Sequence, residues 1–189
     1  IMHGGRTSHP DLIDGANPEA PSAFDWGGTV RGFAGKMDAP VSRELKKEEL
    51  PRIVDEFRQG ARRAIDAGVD GVEIHGANGY LLHEFMAPSA NKREDEFGGS
   101  PENRWRLPEM VIRAVVEEIG ADRVGVRFSP AHNVQGVIED DQEDMLATYG
   151  GLLDALAPLN LAYVSLLHGE PDSELIATLA QKALSLIHI

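Results

Sequence analysis

The sequence predicts an α/β protein with parallel strands, and more specifically a partial (β/α)8 TIM barrel. Segments typical of strands alternate with segments typical of amphipathic helices along most of the chain, and this alternation is characteristic of parallel strands joined by helical crossovers. No Gly-x-Gly-x-x-Gly motif follows any of these strands, which disfavours an open dinucleotide-binding sheet. Polar residues stand at the carboxyl ends of the strands, where a barrel carries its functional groups.

Periodicity predicts four helices and three strands. The apolar stripes indicate helices at 50–65, 100–119, 144–156 and about 173–183. The strands are expected at 71–75, 123–130 and 161–168. Pro108 lies inside the second helix, so a kink or a restart is expected there. A whole barrel takes roughly 250 residues, so three strands and a possible opening one make about half a barrel.

Three other stretches read as loops or interrupted elements. Residues 15–40 are rich in Gly and Pro without a lasting period, and predict one long loop. The segment "NKREDEFGG", 91–99, predicts a solvated loop with paired charges. His3, Arg6 and His9 form either an anion-binding loop or, the favoured interpretation, a solvated basic stretch. Both chain ends break off within apolar segments, so we expect 1–189 to be a single incomplete domain, truncated at both ends.

Composition excludes several classes of function. The net charge of -13 argues against nucleic-acid binding, which needs an excess of basic residues. The absence of cysteine excludes disulfides and Cys-ligated iron–sulfur clusters. No apolar run reaches the roughly 20 residues of a membrane span, and no signal peptide is evident. We therefore expect a cytoplasmic protein that acts on a small molecule, without nucleic-acid or membrane partners; the oligomeric state is left open.

The stretch "GVEIHGANGY", 71–80, carries the main candidate residues. His75 and Asn78 offer two donors suited to one carbonyl or nitro oxygen. Tyr80 offers a proton and could act as a general acid at a neighbouring carbon. The alternative interpretation is a capped turn with a packed tyrosine.

Arg127 lies on the next strand and is expected to point into the barrel, where a buried cation needs an anionic partner. An ion pair with Glu73 is the structural alternative. A metal site formed by His75, His83 and Glu84 is a further alternative, but their spacing matches no familiar zinc signature, and no metal ligands are predicted.

Taken together, these segments resemble the old yellow enzyme family of FMN-dependent ene-reductases. "VDGVEIHGANGYLLHEFMAPSANKREDEFGGSPENRWR", 69–106, resembles the family's most recognisable stretch nearly end to end. "IMHGGRTSHP" is similar to its strand-three segment and "VGVRFSP" to its strand-five segment. The similarity is weaker for "LAYVSLLHGEP" and ends near residue 171. The resemblance implies that the chain comprises about strands 3 to 6 of the barrel, with their helices.

The resemblance also implies roles for individual residues. His75 and Asn78 match the pair that binds the substrate oxygen, Tyr80 matches the proton donor to the α-carbon, and Arg127 matches the arginine beside the pyrimidine edge of FMN. NADPH would reduce the non-covalently bound FMN, and hydride would then pass from flavin N5 to the β-carbon of an activated alkene. In lacking cysteine and in having Asn78, the chain resembles the simpler enoate and xenobiotic reductases rather than the iron–sulfur dienoyl-CoA reductases.

The parent protein is therefore expected to be an FMN-dependent, NADPH-oxidising ene-reductase, with this chain inactive alone. The alternative is a non-catalytic half-barrel that serves as an association module. A metal-dependent hydrolase on the same barrel would need ligands that the sequence does not supply.

The 189-residue polypeptide should bind FMN weakly. In the family that it resembles, glycine-rich loops and an arginine after strands seven and eight hold the flavin phosphate, and these 189 residues have no counterpart of them. Titration of FMN, followed by its visible absorbance, should show no tight complex. Saturation at one equivalent with a shifted flavin spectrum would contradict this expectation.

Overall fold

The computed structural model describes residues 1–184. In chain order its strands and α-helices are β1 (Glu19–Ala20), β2 (Thr29–Gly32), β3 (Gly35–Asp38), β4 (Arg43–Glu44), α1 (Leu50–Asp66), β5 (Val72–Gly76), α2 (Leu81–Met86), α3 (Pro101–Ile119), β6 (Val124–Phe128), α4 (Gln142–Leu156), β7 (Tyr163–Leu166) and α5 (Glu174–Leu184). None of the helices within this range is both long and apolar enough to cross a membrane.

The central sheet consists of β5, β6 and β7 in that spatial order, all parallel. Its register aligns two rows of residues across the strands, Glu73–Gly125–Tyr163 and His75–Arg127–Ser165. Val124, Val126 and Phe128 alternate with these rows and are fully buried, because neighbouring residues of a strand face opposite sides. The parallel α/β prediction is confirmed, and within residues 1–184 the sheet stays open.

The N-terminal residues extend this sheet on the free side of β5. The amino group of Ile1 donates to the Glu73 carbonyl at 2.6 Å, and His75 N donates to the Ile1 carbonyl at 3.0 Å. Leu81 N then donates to the His3 carbonyl at 3.2 Å. The expected opening strand is therefore present as backbone pairing beside β5, although it is too short to form a regular strand.

The four long helices pack as a layer against one face of the sheet. Helix α1 contacts α3, α3 contacts α4, and α4 contacts α5. Helix α3 begins as predicted, because the Ser100 hydroxyl accepts from Asn103 N at 3.3 Å, and it ends at Gly120, whose φ is 90°. It runs through the buried Pro108 as one helix, so no restart occurs.

The prediction of one long loop over residues 15–40 is wrong. Strands β2 and β3 form an antiparallel hairpin with a two-residue connection between Gly32 and Gly35, and β1 pairs in parallel with β4. Gly35 has a φ of 105°, which favours glycine and closes the hairpin. Such short strands between glycines and prolines leave little alternation to detect.

The prediction of a solvated loop over residues 91–99 is also wrong in part. Asn91 and Arg93 are buried. Asn91 Nδ2 donates to the carbonyls of Phe85 and Phe97, each at 2.7 Å. Arg93 Nη1 donates to the Pro21 carbonyl at 3.0 Å. These side chains are buried because they satisfy backbone carbonyls of neighbouring loops, a use that composition does not show.

Arg104 connects the helical layer to the loop that precedes α3. It is 3% exposed, and its Nε donates to the Met86 carbonyl at 2.7 Å. Its Nη1 donates to the Gly99 carbonyl at 2.5 Å. Its Nη2 donates to Asp144, at 2.7 and 2.6 Å, and to Thr148 Oγ1 at 2.9 Å. A buried guanidinium with this many acceptors ties α2, α3 and α4 together.

Replacing Arg104 with Met should lower the free energy of unfolding by about 3–5 kcal/mol, because the half-buried Asp144 loses its cation and two carbonyls lose a donor. Arg106→Met on the same helix is the matched control, since Arg106 makes more exposed contacts with Glu96 and Asn103. Chemical denaturation compares the two. Equal losses in both variants would contradict the anchoring role of Arg104.

Candidate functional site

The candidate residues lie on a tight turn between β5 and α2. Asn78 and Gly79 have positive φ values of 57° and 76°, and Tyr80 N donates to the Ala77 carbonyl at 3.2 Å. A Cβ on Gly79 would lie 2.8 Å from the Val134 carbonyl oxygen, so the position requires glycine. Asparagine tolerates the left-handed conformation better than most residues.

The loop after β6 holds Asn78 in this conformation. The backbone N–H of Asn78 donates to Ser129 Oγ at 2.8 Å, and Gln135 Nε2 donates to its carbonyl at 2.8 Å. The side-chain Oδ1 lies 3.0 Å from His132 Nδ1. Asn78 is thus bound through both its backbone and its side chain.

The structure brings His75, Asn78 and Tyr80 together. Asn78 Nδ2 lies 3.4 Å from His75 Nε2, so the two nitrogens stand side by side. The rings of His75 and Tyr80 have centroids 5.3 Å apart and planes tilted by 58°. Arg127 is the direct neighbour of His75 on the adjacent strand. All four candidate residues therefore lie at the carboxyl edge of the sheet.

The environment of His75 favours its neutral form. Burial lowers the pKa of His75 below its usual 6.5, and the nearby charge of Arg127 lowers it further, whereas Glu73 acts in the opposite direction. At pH 7 the imidazole is therefore uncharged and has one N–H to donate.

Arg127 forms an ion pair with Glu73, the structural alternative to a ligand contact. Its Nε lies 3.0 Å from Glu73 Oε1, although the N–H is not directed at that oxygen. Glu73 also accepts from the Tyr163 hydroxyl at 3.0 Å. Gly125 makes room for this contact, because a Cβ there would lie 2.2 Å from the Tyr163 ring. The Arg127 side chain is still 38% exposed, so it remains open to a further partner.

The prediction of a solvated basic stretch is wrong for Arg6. This residue is 1% exposed, and its guanidinium lies over the Phe24 ring at 5.4 Å and donates to the Gln135 carbonyl at 3.2 Å. Its backbone N–H donates to Glu84 Oε1 at 2.9 Å. Stacking on Phe24 and the hydrogen bond to Gln135 replace part of the hydration of Arg6, while its buried Nε has no hydrogen-bond partner. The residue joins the N-terminal segment to the loop that holds Asn78.

The metal hypothesis gains no support from the placement of its residues. His83 is fully buried, and its Nδ1 accepts from Gly79 N at 2.9 Å. Glu84 is buried against Arg6. Nowhere in residues 1–184 are three or more potential ligand side chains grouped around a possible metal position.

Ser129, His132 and Gln135 are functional candidates that sequence reasoning missed. They follow β6 in the segment "SPAHNVQ" and reach across to Asn78 on the neighbouring strand end. Their position directly after a predicted strand was a usable signal, because the loops at the carboxyl ends of barrel strands share one rim.

Comparison with known proteins identifies the family. Residues 1–170 match the NADH:flavin oxidoreductase / NADH oxidase family. The chain belongs to this family. The resemblance to old yellow enzymes is thereby confirmed.

Curated relatives of the chain include plant reductases. It is 57% identical to 12-oxophytodienoate reductase 1 of Oryza sativa subsp. japonica over 142 residues, which cover 75% of this chain and 36% of that protein. It is 50% identical to putative 12-oxophytodienoate reductase-like protein 2A of Arabidopsis thaliana over 131 residues, which cover 69% of this chain and 47% of that protein. The chain thus spans less than half the length of these relatives.

Solved structures of the family show the same architecture. The old yellow enzyme homologue from Zymomonas mobilis aligns with a TM-score of 0.83 and 37% identity, over 91% of this chain and 47% of that one. Morphinone reductase aligns with a TM-score of 0.83 and 36% identity, over 95% of this chain and 51% of that one. The predicted partial barrel is confirmed, since the chain corresponds to about half of such a structure.

Glu84→Gln should change how stability depends on pH. Burial raises the pKa of Glu84 to about 8, although Arg6 opposes the shift. Between pH 4.5, the ordinary value, and pH 8, the folded protein keeps a proton that the unfolded chain releases, so stability falls as pH rises. The variant should lack this loss, which is on the order of a few kcal/mol. Chemical denaturation at pH 5.5 and 8.5 measures it, and parallel curves for both proteins would contradict the assignment.

Proposed function

We propose that the protein containing this chain is an FMN-dependent ene-reductase that reduces activated C=C bonds with NADPH. Its substrates would be enones, enoates and nitro-compounds. The observation that carries the proposal is the convergence of His75, Asn78 and Tyr80 at the sheet edge beside Arg127. Membership of the flavin oxidoreductase family and the similarity to proteins named 12-oxophytodienoate reductase support it.

His75 and Asn78 would bind the oxygen of the substrate. Two N–H groups whose nitrogens are 3.4 Å apart can both reach one oxygen at roughly 2.7–3.2 Å. Hydrogen bonds to a carbonyl or nitro oxygen stabilise the negative charge that develops there when the conjugated β-carbon accepts hydride. A neutral His75 suits this role, because it donates without requiring a charge to be buried.

Tyr80 would supply the proton. Its ring stands next to the His75 ring, and we infer that its hydroxyl would face the α-carbon of an alkene whose oxygen occupies the oxygen-binding position. The O–H bond breaks as a C–H bond forms at the α-carbon, and the phenolate regains a proton from water. A cleft of about 360 Å³ borders Tyr80, with Met2, Leu12 and Val30 among its lining residues, and offers room for the rest of the substrate.

Arg127 would contact the flavin. When bound, FMN would supply the redox chemistry by taking hydride from NADPH and passing it to the β-carbon of the alkene. The residues fit such a group, because Arg127 offers an exposed cation on the inner face of the sheet and Glu73 restrains its Nε. A fixed positive charge at this place favours an electron-rich reduced ring.

Tyr80→Phe in the flavin-loaded protein that contains this chain should slow alkene reduction by roughly 100-fold or more, because the general acid is lost. Reduction of the flavin by NADPH should proceed at nearly the same rate, since it needs no proton from Tyr80. Stopped-flow absorbance separates the two half-reactions, and the second serves as the internal control. Equal slowing of both would remove Tyr80 from the proton-donor role.

A further inference from the structure

We propose that His132 is a positioning residue, which keeps the carboxamide of Asn78 turned so that its Nδ2 faces the oxygen-binding position. The inference rests on the proposed role of His75 and Asn78. It gives a specific function to His132, which lies in the loop after β6. In this proposal the His132 side chain acts through Asn78 and does not touch the substrate.

The contacts of Asn78 define two ends of its amide. Oδ1 lies 3.0 Å from His132 Nδ1. A carbonyl oxygen can only accept, so Nδ1 of His132 is the protonated ring nitrogen in this pair. The other end, Nδ2, lies 3.4 Å from His75 Nε2, on the side where the substrate oxygen is expected.

The opposite orientation would inactivate the pair. Rotation of the amide by half a turn exchanges two atoms of nearly equal size, so shape does not select between the orientations. In the rotated form, Oδ1 would stand beside His75 Nε2 and accept its N–H. The imidazole donor would then be used internally, Nδ2 would face away, and no donor would remain for the substrate.

The backbone contacts of Asn78 do not prevent this rotation. Ser129 and Gln135 hold its N–H and carbonyl groups, and these bonds are the same in both orientations. His132 meets Oδ1 at one end of the amide and His75 meets Nδ2 at the other. When Nδ1 of His132 carries the ring proton, it can bond only an acceptor, so it favours the orientation with Oδ1 toward it.

The loop that presents His132 is fixed by other residues. Ala131 N donates to Glu139 Oε2 at 3.1 Å, and Glu139 N donates to Asn133 Oδ1 at 2.8 Å. The buried Glu139 also accepts from the Tyr149 hydroxyl at 2.8 Å. Substitution of the His132 side chain therefore leaves these loop contacts in place.

Three substitutions at His132 test the inference in the flavin-loaded protein that contains this chain, with cyclohex-2-enone as the probe. His132→Asn offers both a donor and an acceptor close to where Nδ1 lies, as neutral histidine does, and should bind the enone like the wild type. His132→Ala removes the donor and should raise the Kd by about 2- to 10-fold. His132→Asp offers only acceptors, favours the rotated amide and should weaken binding more than Ala. Affinity for the enone should fall in the order Asn, Ala, Asp. If the Ala and Asp variants bind the enone as tightly as the wild type does, the proposal is overturned.

Two controls separate this role from a general loosening of the loop and from failure of the oxygen-binding pair. Asn133→Ala loosens the same loop without touching Asn78, so a loss as large as that of His132→Ala would reduce His132 to a structural role and overturn the inference. Asn78→Ala tests the proposed function itself. If Asn78→Ala leaves enone binding unchanged, the proposed function fails and the inference fails with it. If Asn78→Ala weakens binding and His132→Ala does not, the inference alone fails.

Discussion

The left-handed turn at Asn78 and Gly79 is the constraint on which the rest of the site depends. A strand that simply continued would carry Asn78 and Tyr80 away from His75. The positive φ values reverse the chain within two residues and place the amide and the phenol beside the imidazole. Such a turn is stable only when its neighbours fix it, and here the loop after β6 provides the hydrogen bonds.

The parallel register adds the second half of the site. Residues at equal positions of adjacent parallel strands share a face, so the pairing of β5 with β6 puts His75 next to Arg127. One row below, Glu73 forms an ion pair with Arg127 and accepts a hydrogen bond from the Tyr163 hydroxyl. The sheet itself thus holds His75 and Arg127. Asn78 and Tyr80 are held by the turn after β5 and by the loop that begins at Ser129.

The sequence predicted the repeating elements well, because their signals are local. The apolar stripe of α3 and its limits at Ser100 and Gly120 follow from helix periodicity and capping, and the alternation of β6 follows from its buried valines. Polar groups at strand ends also stand out in a sequence, which is why His75, Asn78, Tyr80 and Arg127 could be named as candidates; their roles stay predictions. The buried polar contacts were not predicted from the sequence. Arg6 and Arg93 look like solvated residues in a sequence, and only the folded chain shows which carbonyls and rings receive them. His132 was missed for a different reason. Its place after a strand is visible in the sequence, but its partner Asn78 is 54 residues away.

A crystal structure of the flavin-loaded protein that contains this chain, with a bound enone, would show directly whether His75, Asn78, Tyr80 and Arg127 surround one site. The enone oxygen should lie within roughly 2.7–3.2 Å of both His75 Nε2 and Asn78 Nδ2. The Tyr80 hydroxyl should face the α-carbon, and Arg127 should border the flavin ring. An enone bound with its oxygen away from His75 and Asn78, or an Arg127 side chain turned toward the helical layer, would contradict this arrangement.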